Sequence, residues 1–194
     1  MRSIHLRILF LTSLALLSAG CAWMHAPPDE QLDELTGVTL SHAKKPIILY
    51  RDASSRAAHA RDYVHMGAVQ VNRMGDLRYY LWLGIWSTIP AGDTGVRRDG
   101  FESITLFVEG EPLPFDIAGW APDAIGASAN VYVKPVASAA DAYYEVTIDQ
   151  LRLIATSRSL RLLTSGPQPA SYELWNSQNS GFASLASFLQ PEKR

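Results

Sequence analysis

Few side chains in this sequence have the types and spacing for chemistry, and Cys21 has the sharpest setting. It is the only cysteine among 194 residues, so it offers a thiolate nucleophile and has no disulfide partner within the chain. Ser41-His42-Ala43-Lys44 has the Ser-x-x-Lys spacing in which a serine attacks an acyl group. Such a site also needs Ser-Asp-Asn and Lys-Thr-Gly partners, and neither triplet occurs. His59, Asp62 and His65 bring three metal-binding side chains close together, but their spacing matches no zinc pattern, and they read as exposed polar residues. Glu109, Glu111 and Asp116 would serve as acid and base only across a cleft that nothing in the sequence supplies; hairpin turns attract such residues anyway. There is no Gly-x-Ser-x-Gly, His-Glu-x-x-His, phosphate-loop or dinucleotide fingerprint. No catalytic residue, metal ligand or cofactor is therefore assigned.

Aromatic rings offer a different chemistry. On an exposed sheet face, Tyr79, Tyr80, Trp82, Trp86 and Trp120 would stack on sugars or on a partner protein, because a ring presents large apolar area at little entropic cost. In a domain without disulfides such rings also build the core. Trp82 and Trp86, in the middle of an apolar run, read as core. Trp120, which follows Gly119 in a loop-like stretch, is the leading binding candidate, with Tyr79 and Tyr80 beside it.

The setting of Cys21 is a leader. Arg2 and Arg7 precede the run Ile8 to Leu17, which only Thr12 and Ser13 interrupt, and small residues then lead to Leu17-Ser18-Ala19-Gly20-Cys21. A positive start, an apolar middle and a small-residue exit make a secretory signal. The apolar part is about ten residues, half of what a membrane-spanning helix needs. Ala19-Gly20-Cys21 resembles the lipobox of bacterial lipoproteins, with Ser18 where leucine is commonest. The resemblance covers only the first 21 residues. It implies that the Cys21 sulfur receives a diacylglyceryl group, that cleavage follows Gly20, and that the new amine is acylated. Two or three acyl chains, each buried methylene adding about 0.8 kcal/mol, hold a protein to a membrane essentially permanently. In Gram-negative members an aspartate after the cysteine retains the protein at the inner membrane. Ala22 stands there, which implies the periplasmic face of the outer membrane.

Without residues 1–20 the basic count falls from 17 to 15 against 19 acidic residues, a net charge of −4. A mildly acidic domain is a poor nucleic-acid binder. Residues 21–36 contain Pro27-Pro28 and four acidic side chains with little apolar periodicity, and read as a flexible tether. Residues 37–194 are long enough for one domain held by core packing alone.

That domain reads as strand after strand. Ile47 to Tyr50 is a compact β-rich run; Val64 to Asn72 and Leu77 to Thr88 flank Arg73-Met74-Gly75-Asp76, a hairpin signal. In the second arm both faces are apolar or aromatic, which predicts a strand inside a sheet covered on both sides. Ile104 to Glu109 alternates; Leu113 to Ile117 carries Pro114 after Pro112 and is at best an edge strand. Ala129 to Val136 and Tyr143 to Ile148 are further β-rich runs. Asp149 is placed to cap a short helix with Leu151, Ile154 and Ala155 at i, i+3 and i+4, and Phe182, Leu185, Ala186 and Leu189 mark a second. Strands of this number and spacing, with one or two short helices near the C-terminus, predict a mainly antiparallel all-β domain. The fold expected is a β-sandwich, immunoglobulin-like in architecture but without the Cys-Trp-Cys spacing.

The function expected is that of a lipid-anchored envelope lipoprotein whose β-domain is a binding or structural module for another envelope protein. The alternative is a hydrolase or carbohydrate-binding protein acting on envelope polymers. A pocket with converging polar groups would mark the enzyme, and an apolar patch or open strand edge the binding module.

Overall fold

The computed structural model describes residues 30–89, 98–175 and 180–190. In chain order they form β1 (Gln31–Asp33), β2 (Val38–His42), β3 (Ile47–Asp52), β4 (Arg61–Arg73), β5 (Asp76–Ser87), β6 (Ser103–Val108), β7 (Glu111–Gly119), β8 (Ala140–Val146), α1 (Ile148–Thr156), β9 (Leu160–Thr164), β10 (Ser171–Leu174) and α2 (Ser180–Phe188). Gln31–Asp33 is thus already strand, within the acidic stretch that reads as tether. Among the described residues no helix is long and apolar enough to cross a membrane.

The predicted β-sandwich is corrected. β4 pairs with β5 from Asp62↔Ser87 to Arg73↔Asp76, and the opposite route runs β4-β3-β10-β9-β6-β7-β8-β5. Eight antiparallel strands therefore return on themselves as a barrel. Alternating strands with one apolar face suit a sandwich and a barrel equally; the difference is whether the last two edges meet. Here β3 reaches β10 near the far end of the chain through Leu49↔Leu174, and β5 takes β4 on one side and β8 on the other. These pairings join residues distant in sequence, which local periodicity does not encode.

The barrel interior is filled. Leu49, Val64, Met66, Leu81, Leu83, Ile104, Leu106, Ala142, Tyr144 and Leu162 point inward and are all buried. Leu151 and Ile154 of α1 and Leu185 of α2 join the same cluster, so the helices close the end where β8 finishes and β9 begins. The cap of α1 is Thr147 rather than Asp149: its side chain accepts from the Gln150 backbone while the Gln150 side chain accepts from the Thr147 N–H. The prolines of β7 lie in the half that pairs only with β6, whereas its contact with β8 is confined to Ile117↔Tyr144 and Gly119↔Tyr143 around a bulge. Their missing N–H groups leave no ladder bond unmade on the open side.

β4 is longer than the barrel needs. Its second half pairs with β2, Thr39↔Asn72 to His42↔Val69, and β1 adds to β2, so a small wing continues the wall. The outward face here carries a second core, in which Val38, Leu40, Val69, Val71, Tyr80, Trp82 and Tyr143 are covered by Ile125, Ala127 and Tyr132. The covering residues belong to the connection between β7 and β8, so the expected strand over Ala129 to Val136 is instead an irregular layer. It is locked on by polar contacts. The Tyr132 ring stacks on Trp82 at 4.5 Å, and its hydroxyl donates to the Ala43 and Ala68 carbonyls. Trp82 Nε1 donates to Asp141, whose other oxygen pairs with Lys134 at 2.8 Å. The run predicted to be covered on both sides is so covered, by barrel core and irregular layer.

Candidate functional site

In β3, β4 and β5 the residues that alternate with the inner core point outward, and register brings Tyr50, Tyr63 and Trp86 into one row: Tyr50↔Tyr63 and Tyr63↔Trp86. Trp175, just past β10 and hydrogen-bonded through its N–H to the Ile48 carbonyl, extends that row. Four neighbouring chain segments thus place four rings on one stretch of outer wall.

The rings pack on each other. Tyr63 lies nearly flat on Trp86, with centroids 4.5 Å apart and planes at 15°. Trp175 meets Tyr50 edge-on at 5.0 Å and Tyr63 at 5.4 Å. The Arg61 guanidinium stands 4.9 Å from the Trp175 ring and 5.7 Å from Tyr50, while its Nε donates to Asp52. His65, beside Trp86, is held below the usual imidazole range by burial and is neutral at pH 7. Trp175 remains 42% exposed, and Trp86 Nε1 has no hydrogen-bond partner among the described residues. On the opposite, inward face of the same strands the buried Asp62 receives Arg51 and Arg56. Burial pushes the Asp62 carboxyl up, but hydrogen bonds from Ser87, Arg51 and Arg56 outweigh it, so it stays ionised. The result is a half-buried aromatic strip with one cation on it, backed across the sheet by an ion-pair network on the inner face.

The residues singled out in the sequence are dispersed. Cys21 lies outside the described residues. Tyr80 is 5% exposed and belongs to the second core, Tyr79 is half-buried against the inner core, and Trp120 is half-buried against that core with the Arg98 guanidinium 5.1 Å from its ring. No ring contact among the described residues joins these three. Trp82 is core, whereas Trp86 turns outward into the strip. Ser41 is buried in β2 rather than at a helix start. Of the metal candidates, His59 lies in a loop, Asp62 is taken by its two arginines and His65 faces Trp86; no group of three His, Cys, Asp or Glu among the described residues could hold a metal. Glu109 accepts the backbone N–H groups of Arg158 and Ser159, which lower its pKa and make it a brace for the turn into β9. A cleft of about 210 Å³ on the wing is lined by Asp33, Leu35, Leu40, His42 and Val131. Its carboxylate is occupied by Ser128.

Sequence reasoning missed Tyr50, Tyr63, Arg61 and Trp175. Alternation alone puts each on the face opposite a core residue, but only strand pairing shows that the four are neighbours. Comparison with protein-family models, curated proteins and solved structures finds no significant match.

Proposed function

We propose that this chain is a lipid-anchored lipoprotein of the cell envelope, held by acyl chains on Cys21, and that its barrel is a module that binds another envelope protein. The observation that carries the binding reading is the row Tyr50, Tyr63 and Trp86 with Trp175 and Arg61 on the outer wall. Tyrosine, tryptophan and arginine are the residues in which protein interfaces concentrate their binding energy. A rigid sheet that presents them half-buried lowers the entropic cost of association. Binding or hydrolysis of an envelope polymer is served less well. One face of Tyr63 is covered by Trp86 and the reverse, and Arg61 stands over Trp175, so the strip offers no broad free ring on which a sugar would lie.

A photo-crosslinking residue at Trp175, compared with one at the exposed Glu111, tests the binding face in living cells. Adducts that carry peptides of a second protein are expected from position 175 and not from 111. Adducts carrying glycan instead would favour the polymer reading, and equal yields at both positions would sink the assigned face. The anchor is tested separately: labelled fatty acid should enter the wild type and not Cys21→Ser, whose hydroxyl cannot take the lipid.

A further inference from the structure

The large apolar side chains left in solvent are not scattered. Leu32, Thr39, Asn72 and Leu77 stand in one row across β1, β2, β4 and β5, so their side chains share a face of the wing. The two leucines are 60% and 48% exposed. Beyond the row, the β1–β2 turn carries Leu35 at 87% exposure and the β4–β5 turn carries Met74 at 99%. α1, which leaves β8 opposite Tyr79 at the same end, adds the exposed Leu153. Of the strongly exposed large apolar residues described, only Val133 and Trp175 lie elsewhere.

Met74 is the most informative of them. Met74 and Gly75 form a two-residue hairpin turn with φ of 53° and 96°, a geometry that favours asparagine, aspartate or glycine at both places. The turn is held by Asn72, whose Oδ1 accepts from the Gly75 N–H at 2.8 Å, so the methionine side chain contributes nothing to closing it. A long apolar chain sits at the tip at a conformational cost, with no packing within the barrel in return. The nearby charges offset each other, with Glu34 and Asp76 against Arg73 and Arg78, and Arg78 is paired to Asp76. These two tips are therefore suited to apolar insertion rather than to attraction by charge, while Glu109 and Glu111 stand at the β6–β7 turn of the same end.

We infer that the helix-plugged end of the barrel, led by Leu35 and Met74, dips into the lipid surface to which the chain is anchored. This rests on the proposed acylation of Cys21. The nine residue-to-residue steps from Cys21 to Glu30 span at most about 30 Å, and they join the fold at β1, on the wing itself. Glu30 is five residues before Leu35. An anchor on this lead holds the wing within about 30 Å of the lipid surface, and burying the exposed leucines and methionine there removes them from water. The aromatic strip then stays on the barrel wall, free for a partner.

The test uses the full chain, acylated in cells and reconstituted into phosphatidylethanolamine–phosphatidylglycerol vesicles. Leu35→Cys, Met74→Cys and, at the opposite end of the barrel, Gln168→Cys each receive an environment-sensitive fluorophore, and some of the lipid carries a spin label. Loss of most emission at positions 35 and 74, unaffected by high salt, with little loss at 168, is the expected result. Emission equally retained at all three while fatty-acid label is present overturns the docking end and leaves the anchor intact. Without fatty-acid label the anchor reading fails; the same probes on the chain that also carries Cys21→Ser, so that the introduced thiol alone is labelled, then decide the docking end when mixed with vesicles, quenching sustaining it and its absence refuting it.

Discussion

Replacing Trp82 should unlock the irregular layer from the barrel. The indole is 1% exposed, stacks on Tyr132 with planes at 18°, and donates to Asp141 at 2.9 Å. Trp82→Ala removes the stacked ring and leaves a cavity between the barrel wall and the layer, a loss of about 3–5 kcal/mol. Trp82→Phe keeps most of the stacking and removes the hydrogen bond to a charged acceptor. That costs about 1.5–3 kcal/mol, toward the lower value because Lys134 still holds the other Asp141 oxygen. Against the roughly 5–15 kcal/mol of a whole domain, the alanine variant should sit near the edge of folding and the phenylalanine variant well inside it. Trp86→Ala, on the outer strip, gives up the stack with Tyr63, on the order of 1 kcal/mol, and the area of a half-buried ring, and should cost less than Trp82→Ala. Urea unfolding of the full chain in mild detergent reads these values as midpoint shifts at a nearly constant slope. A Trp82→Ala protein with the wild-type midpoint, or a Trp86→Ala protein less stable than it, would refute the assignment of inner and outer faces.

Gly67→Ala would drive a Cβ into the Tyr132 ring; the expected cost is about 1–3 kcal/mol, and a double-mutant cycle with Tyr132→Leu should show most of it disappear. The Asp33 carboxyl is drawn down to about 2, first by the Ser128 N–H, so its contribution is complete above about pH 4, where the unfolded carboxylate is ionised, and is lost as pH falls toward 2. Thermal midpoints of wild type and Asp33→Asn across that range should converge at the acid end. Met74→Asn relieves a positive φ and should raise stability by about 1 kcal/mol, while weakening any lipid contact of the tip; urea midpoints and vesicle quenching report the two effects separately.

Much of the local structure was legible in the chain. The hairpin around Met74-Gly75, the β-runs of β3, β6 and β8, the two late helices and the double-sided burial of β5 all follow from period, turn chemistry and composition, because each depends on residues close in sequence. The layer over Trp82 was misread as a strand: Ala129 to Val136 has β-formers but finds no ladder partner, since Tyr132 spends its hydroxyl on the Ala43 and Ala68 carbonyls instead. The proposed anchor is likewise a matter of contiguous residues, Leu17 to Cys21, and needs no fold to be recognised.

What the sequence by itself determined is therefore a mainly antiparallel β-domain with helices near its C-terminus and the single thiol that suggests a lipid anchor. Tertiary structure alone decided that the sheet closes into a barrel and that Tyr50, Tyr63, Trp86 and Trp175 meet on its wall. The reason is physical: alternation assigns each residue to a face, but which strands become neighbours depends on hydrogen-bonded pairings such as β3 with β10 and β5 with β8, made between segments far apart in the chain.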